Sequence, residues 1–183
     1  CKSSLWREGT FPLPGAMFRR VEMPNSLYHA WRERLGDRLF NGYFFNKWDL
    51  WECLRHDAKM KVHLPETRRL EGIADVDTML TRYEAVYLKR MEGYQAKGIV
   101  KVEKQENDGY HFQFSGEECQ VVDRKTAEEW VNNLVRNTGY LIQQAIGVKK
   151  YQNRSFDFRV IMQKDKNQQW TCSGIIAKFG AHG

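Results

Sequence analysis

Val86-Tyr87-Leu88-Lys89-Arg90-Met91-Glu92-Gly93-Tyr94-Gln95-Ala96-Lys97-Gly98-Ile99-Val100 is the stretch on which the fold turns. An apolar run ends at Lys89, a loop bracketed by Gly93 and Gly98 carries a second lysine, Lys97, and another apolar run starts at Ile99. The pattern predicts a strand, a cationic loop and a returning strand. A phosphate-binding loop needs those parts, because glycines let backbone N–H groups approach oxygens and ammonium groups neutralise them. A solvated surface hairpin has the same composition, and both readings stand at this point.

Outward from this stretch the chain changes character at Glu84. Toward the C-terminus, short strands are predicted at 85–90, 98–104, 110–115 and 119–122, with Asn107-Asp108-Gly109 a hairpin signal. Thr126-Ala127-Glu128-Glu129 has capping-box spacing and predicts a helix with Trp130, Val131, Leu134 and Val135 toward the core. Strands follow at 140–146, 155–163 and 170–179. Toward the N-terminus, prolines and glycines make residues 5–24 an extended connector. Ser26 is placed to cap a helix running to Gly36, and a second helix from Lys47 to Arg55 aligns Trp48, Trp51 and Leu54 in a stripe expected to be core. Leu64-Pro65-Glu66-Thr67 reads as a break, and Asp75 or Asp77 as the cap of a short helix reaching Tyr83. The sum is an α+β chain in two lobes, with largely antiparallel sheets and flanking helices.

With 183 residues, 42% of them hydrophobic, the chain can bury one sizeable core or two small ones. No apolar run is long enough to span a membrane. The net charge of +6 favours acidic partners such as nucleotides, although the basic residues are interspersed with acids along the whole chain. Four cysteines at 1, 53, 119 and 172 form no C-x-x-C pair, which argues against structural zinc and fits reduced thiols in a cytoplasmic protein. The first residue, Cys1, and the end at Gly183 suggest a fragment of a longer protein. Strand alternation puts Asp157 and Arg159 on one face and Phe156, Phe158 and Val160 on the other, and a same-face ion pair accounts for the former as well as a ligand does.

Read in order, six segments resemble the ATP-grasp superfamily, most closely its YheC/YheD branch of endospore coat-associated proteins. They are Phe40-Asn41 through Asn46-Lys47-Trp48; Leu64-Pro65-Glu66-Thr67; Tyr87-Leu88-Lys89 with Lys97-Gly98-Ile99; Leu141 to Ile146; Phe156 to Val160; and Trp170 through Lys178. The resemblance implies an N-terminal connector and helical region over 1–83, a small lobe with the phosphate loop over 84–138, and the start of a truncated large lobe over 139–183. It implies that Lys47 and Lys89 reach ATP phosphates. Gly93, Lys97 and Gly98 belong to the loop that closes over them. Gln143, Gln144, Ala145 and Ile146 form the hinge strand at the adenine, and Arg159 and Lys178 face the transferred phosphoryl group. It also implies Mg2+, with ligands beyond Gly183, so that no residue here is assigned to the metal.

The implied chemistry is ATP-dependent joining of a carboxylate and an amine through an acyl phosphate, which rests on positioning and charge neutralisation rather than a protein nucleophile. Asn46 stands where an acid is expected, Arg90 where a proline is, and Lys178 where an arginine is, which exchanges a bidentate fork for a point charge. A non-catalytic ATP-binding or structural module of the spore coat, with coat proteins as partners, is therefore the alternative. A nucleic-acid-binding module is disfavoured: Tyr110-His111-Phe112-Gln113-Phe114 alternates as any half-buried strand does.

Overall fold

A computed structural model describes residues 8–21, 23–42, 45–93, 98–105, 107–115 and 117–180. In chain order its elements are β1 (Met17–Phe18), α1 (Asn25–Leu35), β2 (Leu39–Phe40), α2 (Lys47–Leu54), α3 (Ala58–Lys61), β3 (Thr67–Arg69), α4 (Ile73–Leu80), β4 (Ala85–Arg90), β5 (Ile99–Lys104), β6 (Tyr110–Phe114), β7 (Gln120–Val122), α5 (Arg124–Asn137), β8 (Tyr140–Gln144), β9 (Lys150–Tyr151), β10 (Arg154–Lys164) and β11 (Trp170–Phe179). The described strands form a parallel pair β1–β2, an antiparallel six-stranded sheet in the order β3-β8-β4-β5-β6-β7, and an antiparallel sheet in the order β11-β10-β9. The chain is thus mixed α and β with mostly antiparallel sheets.

Period-two alternation gives the six-stranded sheet two unlike faces. Val86, Leu88, Val100, Val102, Tyr110, Phe112, Tyr140 and Ile142 point to one side and are buried there under α4 and α5. Those helices contribute Ile73, Val76 and Met79, and Ala127 and Val131, at helical spacing. The other face is polar: the register aligns Thr67, Gln143, Tyr87, Lys101 and Gln113 in one row across five strands. The next row holds Arg69, Leu141, Lys89 and Ile99. Farther along, Glu103 accepts from Lys101 Nζ at 2.6 Å and meets His111 Nδ1 at 3.0 Å.

Two polar ties lock the helices to the sheet. The Tyr110 hydroxyl donates to Asp77 of α4, and Arg124 of α5 reaches Asp77 Oδ2 at 2.7 Å and the Tyr110 oxygen at 3.2 Å. Burial, then the Asp77 carboxylate, pushes the Tyr110 phenol up to about 12. Glu66 is the second hub: it accepts from Arg68 Nε at 3.0 Å, from Tyr83 Oη at 2.8 Å, and from Arg82. Burial raises its carboxyl, but the three donors outweigh that and hold it below its ordinary value. Glu66→Gln is expected to lower stability by about 1–2 kcal/mol at neutral pH, an effect moderated by partial exposure. Because the folded value is depressed, the contribution is present above the ordinary carboxyl value and is lost as pH falls through the folded one. Urea unfolding of both forms at pH 7 and pH 3 checks this, since the gap must close in acid.

The helix starts differ from the sequence expectation for one reason: cap positions depend on backbone dihedrals, and several capping residue types lie close together. Helix α1 begins after Pro24 with no side-chain cap, rather than at Ser26. Helix α5 is capped by Asp123, whose Oδ1 accepts from Thr126 N at 2.8 Å, so Thr126 is the third helical residue. Asp75 sits inside α4 and reaches back to the N–H groups of Glu71 and Gly72. The extended connector contains β1, and Leu64–Thr67 leads into edge strand β3, a three-residue strand too short and polar to show alternation. Strand β8 stops at Gln144 rather than residue 146. It lies inside the six-stranded sheet between β3 and β4, so the boundary at 139 falls within the span of that sheet.

Strands β10 and β11 form a long hairpin with a register shift at Ile161/Met162. Asp157 pairs with Lys178 and Arg159 with Ile176 on one face, while Phe156, Phe158 and Val160 lie on the other beside Phe179, Ala177 and Ile175. Phe158, Val160, Ile175 and Ile176 are exposed.

Candidate functional site

On the polar face of the sheet, where β4 and β8 meet the N-terminal end of β5, α2 roofs a cleft of about 290 Å3. Lys47, Leu50, Trp51 and Leu54 line it from the helix, Leu64 and Pro65 from the segment before β3, and Lys89, Ile99, Leu141 and Gln143 from the sheet. The size is at the low end for a ligand pocket, and the mixture of apolar walls with a few convergent polar groups is what such pockets show. Helix α2 is held in place by its Asn46 cap, whose side chain accepts from Asp49 N at 2.9 Å. Trp51 Nε1 donates to Pro65 O at 3.3 Å, and the Arg69 guanidinium lies 4.9 Å over the Trp48 ring.

Two lysines distant in sequence converge here. Lys47, the first residue of α2, places Nζ 2.9 Å from Arg90 O and 3.0 Å from Gly93 O, and its own N–H donates to Met91 O at 3.1 Å. The helix start is thereby tied to the chain leaving β4. Lys89, on the polar face of β4, donates to Gln143 Oε1 at 2.5 Å. Burial lowers the basicity of both ammonium groups; Arg90 lowers Lys47 further, and Lys47 lowers Lys89 further. Among the described residues the cleft lining holds two partly desolvated cations and no carboxylate, a charge balance that favours an anion.

The flanking glycines have a backbone reason. Gly93 and Gly98 have φ of +117° and +71°, a region that side chains disfavour. At Gly98 a Cβ would also stand 2.5 Å from Arg90 Cδ. Lys97, expected in the same loop, lies outside the described residues, as do Tyr94, Gln95 and Ala96.

Of the other residues expected at the site, Gln143 lines the cleft, whereas Gln144, Ala145, Ile146, Arg159 and Lys178 do not. Gln144 is bound to Glu66, N to O at 2.9 Å and Oε1 to N at 3.3 Å. The Ala145 N–H, expected near an adenine edge, donates to Ala85 O at 3.1 Å, and Ile146 is exposed. Arg159 and Lys178 lie on the β10–β11 hairpin. The stripe Trp48, Trp51 and Leu54 is not core: α2 has no buried residue, and Trp51 and Leu54 form the cleft roof. An amphipathic stripe signals that something covers it without saying whether that is core or ligand. Among the described residues no group of three or more His, Cys, Asp or Glu could hold a metal. No described helix is long and apolar enough to cross a membrane.

A lysine at the head of a helix and a lysine on an adjoining strand thus face one cleft on the polar side of an antiparallel sheet, which defines a mixed α and β chain with a helix-roofed, lysine-lined cleft. More narrowly, the chain belongs to the YheC/D-like ATP-grasp family, whose model matches residues 36–183. It is 26% identical over 194 residues to the endospore coat-associated protein YheD of Bacillus subtilis (strain 168), covering 95% of this chain and 41% of that protein. It is 19% identical over 193 residues to the endospore coat-associated protein YheC of the same organism, covering 99% of this chain and 53% of that protein. The chain thus spans about half the length of the curated relatives it matches. No solved structure matches it.

Proposed function

We propose that the cleft between α2 and the six-stranded sheet binds the phosphates of ATP, and that the full protein uses this to join a carboxylate to an amine through an acyl phosphate. The observation carrying the reading is the convergence of Lys47, Lys89 and Gln143, from three separate segments, beside the turn bracketed by Gly93 and Gly98. Bound ATP would supply the phosphoryl group. Lys89 and Lys47 would neutralise phosphate oxygens, and Lys47 would exchange the Arg90 and Gly93 carbonyls for them. The apolar roof of Leu50, Trp51 and Leu54 would exclude water and strengthen both interactions. Lys97 and Gly98 would close the loop from the other side, and Gln144 to Ile146 would border the base. The two-lobed arrangement, with residues 139–183 opening a second lobe that carries Arg159 and Lys178 toward the reacting groups, belongs to this proposal. So do the Mg2+ site elsewhere in the full protein and an association with the spore coat, which the relatives' names suggest.

A second reading keeps nucleotide binding without turnover, as a coat module. It is favoured by the position of Arg159 and Lys178 on a hairpin outside the cleft lining.

Calorimetric titration of Mg-ATP into the full-length protein tests both, with micromolar affinity expected near neutral pH; absence of binding there overturns them. The pH dependence is a sharper check. An anion favours the charged lysines, so binding raises their depressed pKa values. Affinity is therefore expected to be greatest below those folded values and to decline as pH rises through them, with net proton uptake on binding in the alkaline range below the ordinary lysine value. Titrations in buffers of different ionisation enthalpy measure the uptake. Lys89→Arg, which stays charged throughout, is expected to flatten the decline.

A further inference from the structure

Thr67 is the one buried aliphatic side chain among the described residues that carries a polar group; it is 3% exposed and does not line the lysine cleft. Its surroundings form a chain of hydrogen bonds with only one consistent direction. The Pro65 carbonyl can only accept, so the Thr67 hydroxyl donates its proton there, at 3.0 Å. The Thr67 oxygen is then left to accept, and it does so from Gln143 Nε2 at 2.8 Å. That settles the amide orientation of Gln143 and turns Oε1 toward Lys89 Nζ, at 2.5 Å. Thr67 and Gln143 are directly opposed across β3 and β8, and Gln143 is opposed to Tyr87 on β4, two residues from Lys89. The relay thus runs from an edge strand to the proposed phosphate lysine.

We propose that Thr67 is a positioning residue: its hydroxyl fixes the Gln143 amide, which in turn fixes the Lys89 ammonium in the cleft. Without the hydroxyl, Gln143 Nε2 loses its acceptor, and a half-buried donor left unpaired draws the side chain off its rotamer toward another acceptor. Oε1 moves with the amide, so the Lys89 ammonium loses the acceptor that holds it in place. The identity of the anion that Lys89 receives rests on the nucleotide reading above; the placement of Lys89 does not.

The test uses full-length protein with Thr67→Val, which keeps the shape and removes the hydroxyl, and Thr67→Ser, which keeps the hydroxyl. Two readouts are taken. The first is the titration midpoint of the Lys89 Nζ resonance in 15N-lysine-labelled protein, assigned by its loss in Lys89→Arg. The second is Mg-ATP affinity. Thr67→Val is expected to lower the Lys89 midpoint by about half a unit or more and to weaken Mg-ATP about tenfold, with Thr67→Ser within about twofold of the parent. In a Gln143→Met background, Thr67→Val is expected to add nothing, because the relay is already cut. If Thr67→Val does not fold, Thr67→Cys keeps the size with a poor acceptor and is expected to fall between parent and loss. A Lys89 midpoint unmoved by loss of the hydroxyl, equal effects of valine and serine, or additivity with Gln143→Met would overturn the proposal. If the parent does not bind Mg-ATP at all, the nucleotide reading fails, and the Lys89 midpoint still decides the role of Thr67.

Discussion

Lys89→Ala is expected to weaken Mg-ATP binding about 10- to 100-fold, the span set by losing one charge-assisted hydrogen bond to a phosphate. The loss should fall on binding and not on folding. Lys89 is a partly desolvated cation whose basicity is lowered by burial and by Lys47, so the folded chain bears a cost for keeping it charged. Alanine removes that cost and leaves Gln143 Oε1 without its donor, two effects of opposite sign. The thermal midpoint is therefore expected to stay within about 3 °C of the parent, a shift equivalent to about 1 kcal/mol. Calorimetry and thermal unfolding on the same preparations separate the two. Unchanged affinity would remove Lys89 from the phosphate site, and collapse of the fold would make it a structural lysine instead.

Phe112→Ala is expected to cost about 3–5 kcal/mol of stability, the largest effect of any single change proposed for this chain. Phe112 is fully buried on the helix-covered face of β6, opposite Val102. Its ring meets Trp130 of α5 edge-on, with centroids 5.3 Å apart and planes at 81°. Truncation opens a cavity between sheet and helix that backbone on both sides keeps from collapsing, and it also forfeits the aromatic pair, worth about 0.5–1.5 kcal/mol beyond area burial. Urea unfolding by tryptophan fluorescence measures the loss, since Trp130 reports the same contact. Phe112→Leu is expected to lose less than half as much because it fills most of the space. A loss below about 1 kcal/mol for the alanine variant would mean that α5 does not seal this face.

These two residues mark the difference between what was legible and what was not. Phe112 belongs to an alternating strand, and alternation is a local property: the strands at 85–90 and 170–179 are found at the expected residues, and the others within two residues of them. Lys89 was legible as the end of an apolar run before a glycine-bracketed loop, and Lys47 as a helix start. That they meet Gln143 in one cleft followed from resemblance, since no local pattern brings residues 47, 89 and 143 together. The tryptophan stripe of α2 was legible as apolar but not as a cleft roof. Thr67 gave no local sign of its place, because a lone threonine after Pro65 reads as a turn until β8 pairs with it.

The residue order alone carries the alternating strands, the amphipathic α4 and α5, the left-handed glycines flanking the loop and the surplus of cations, because each depends on neighbours a few positions away. The sheet order β3-β8-β4, the choice of which apolar stripe is core and which is wall, and the Pro65–Thr67–Gln143–Lys89 relay depend on pairings between distant segments. Those pairings arise from closing loops around a shared core, so the site came into view only when β3 and β8 were set side by side and α2 was laid over them.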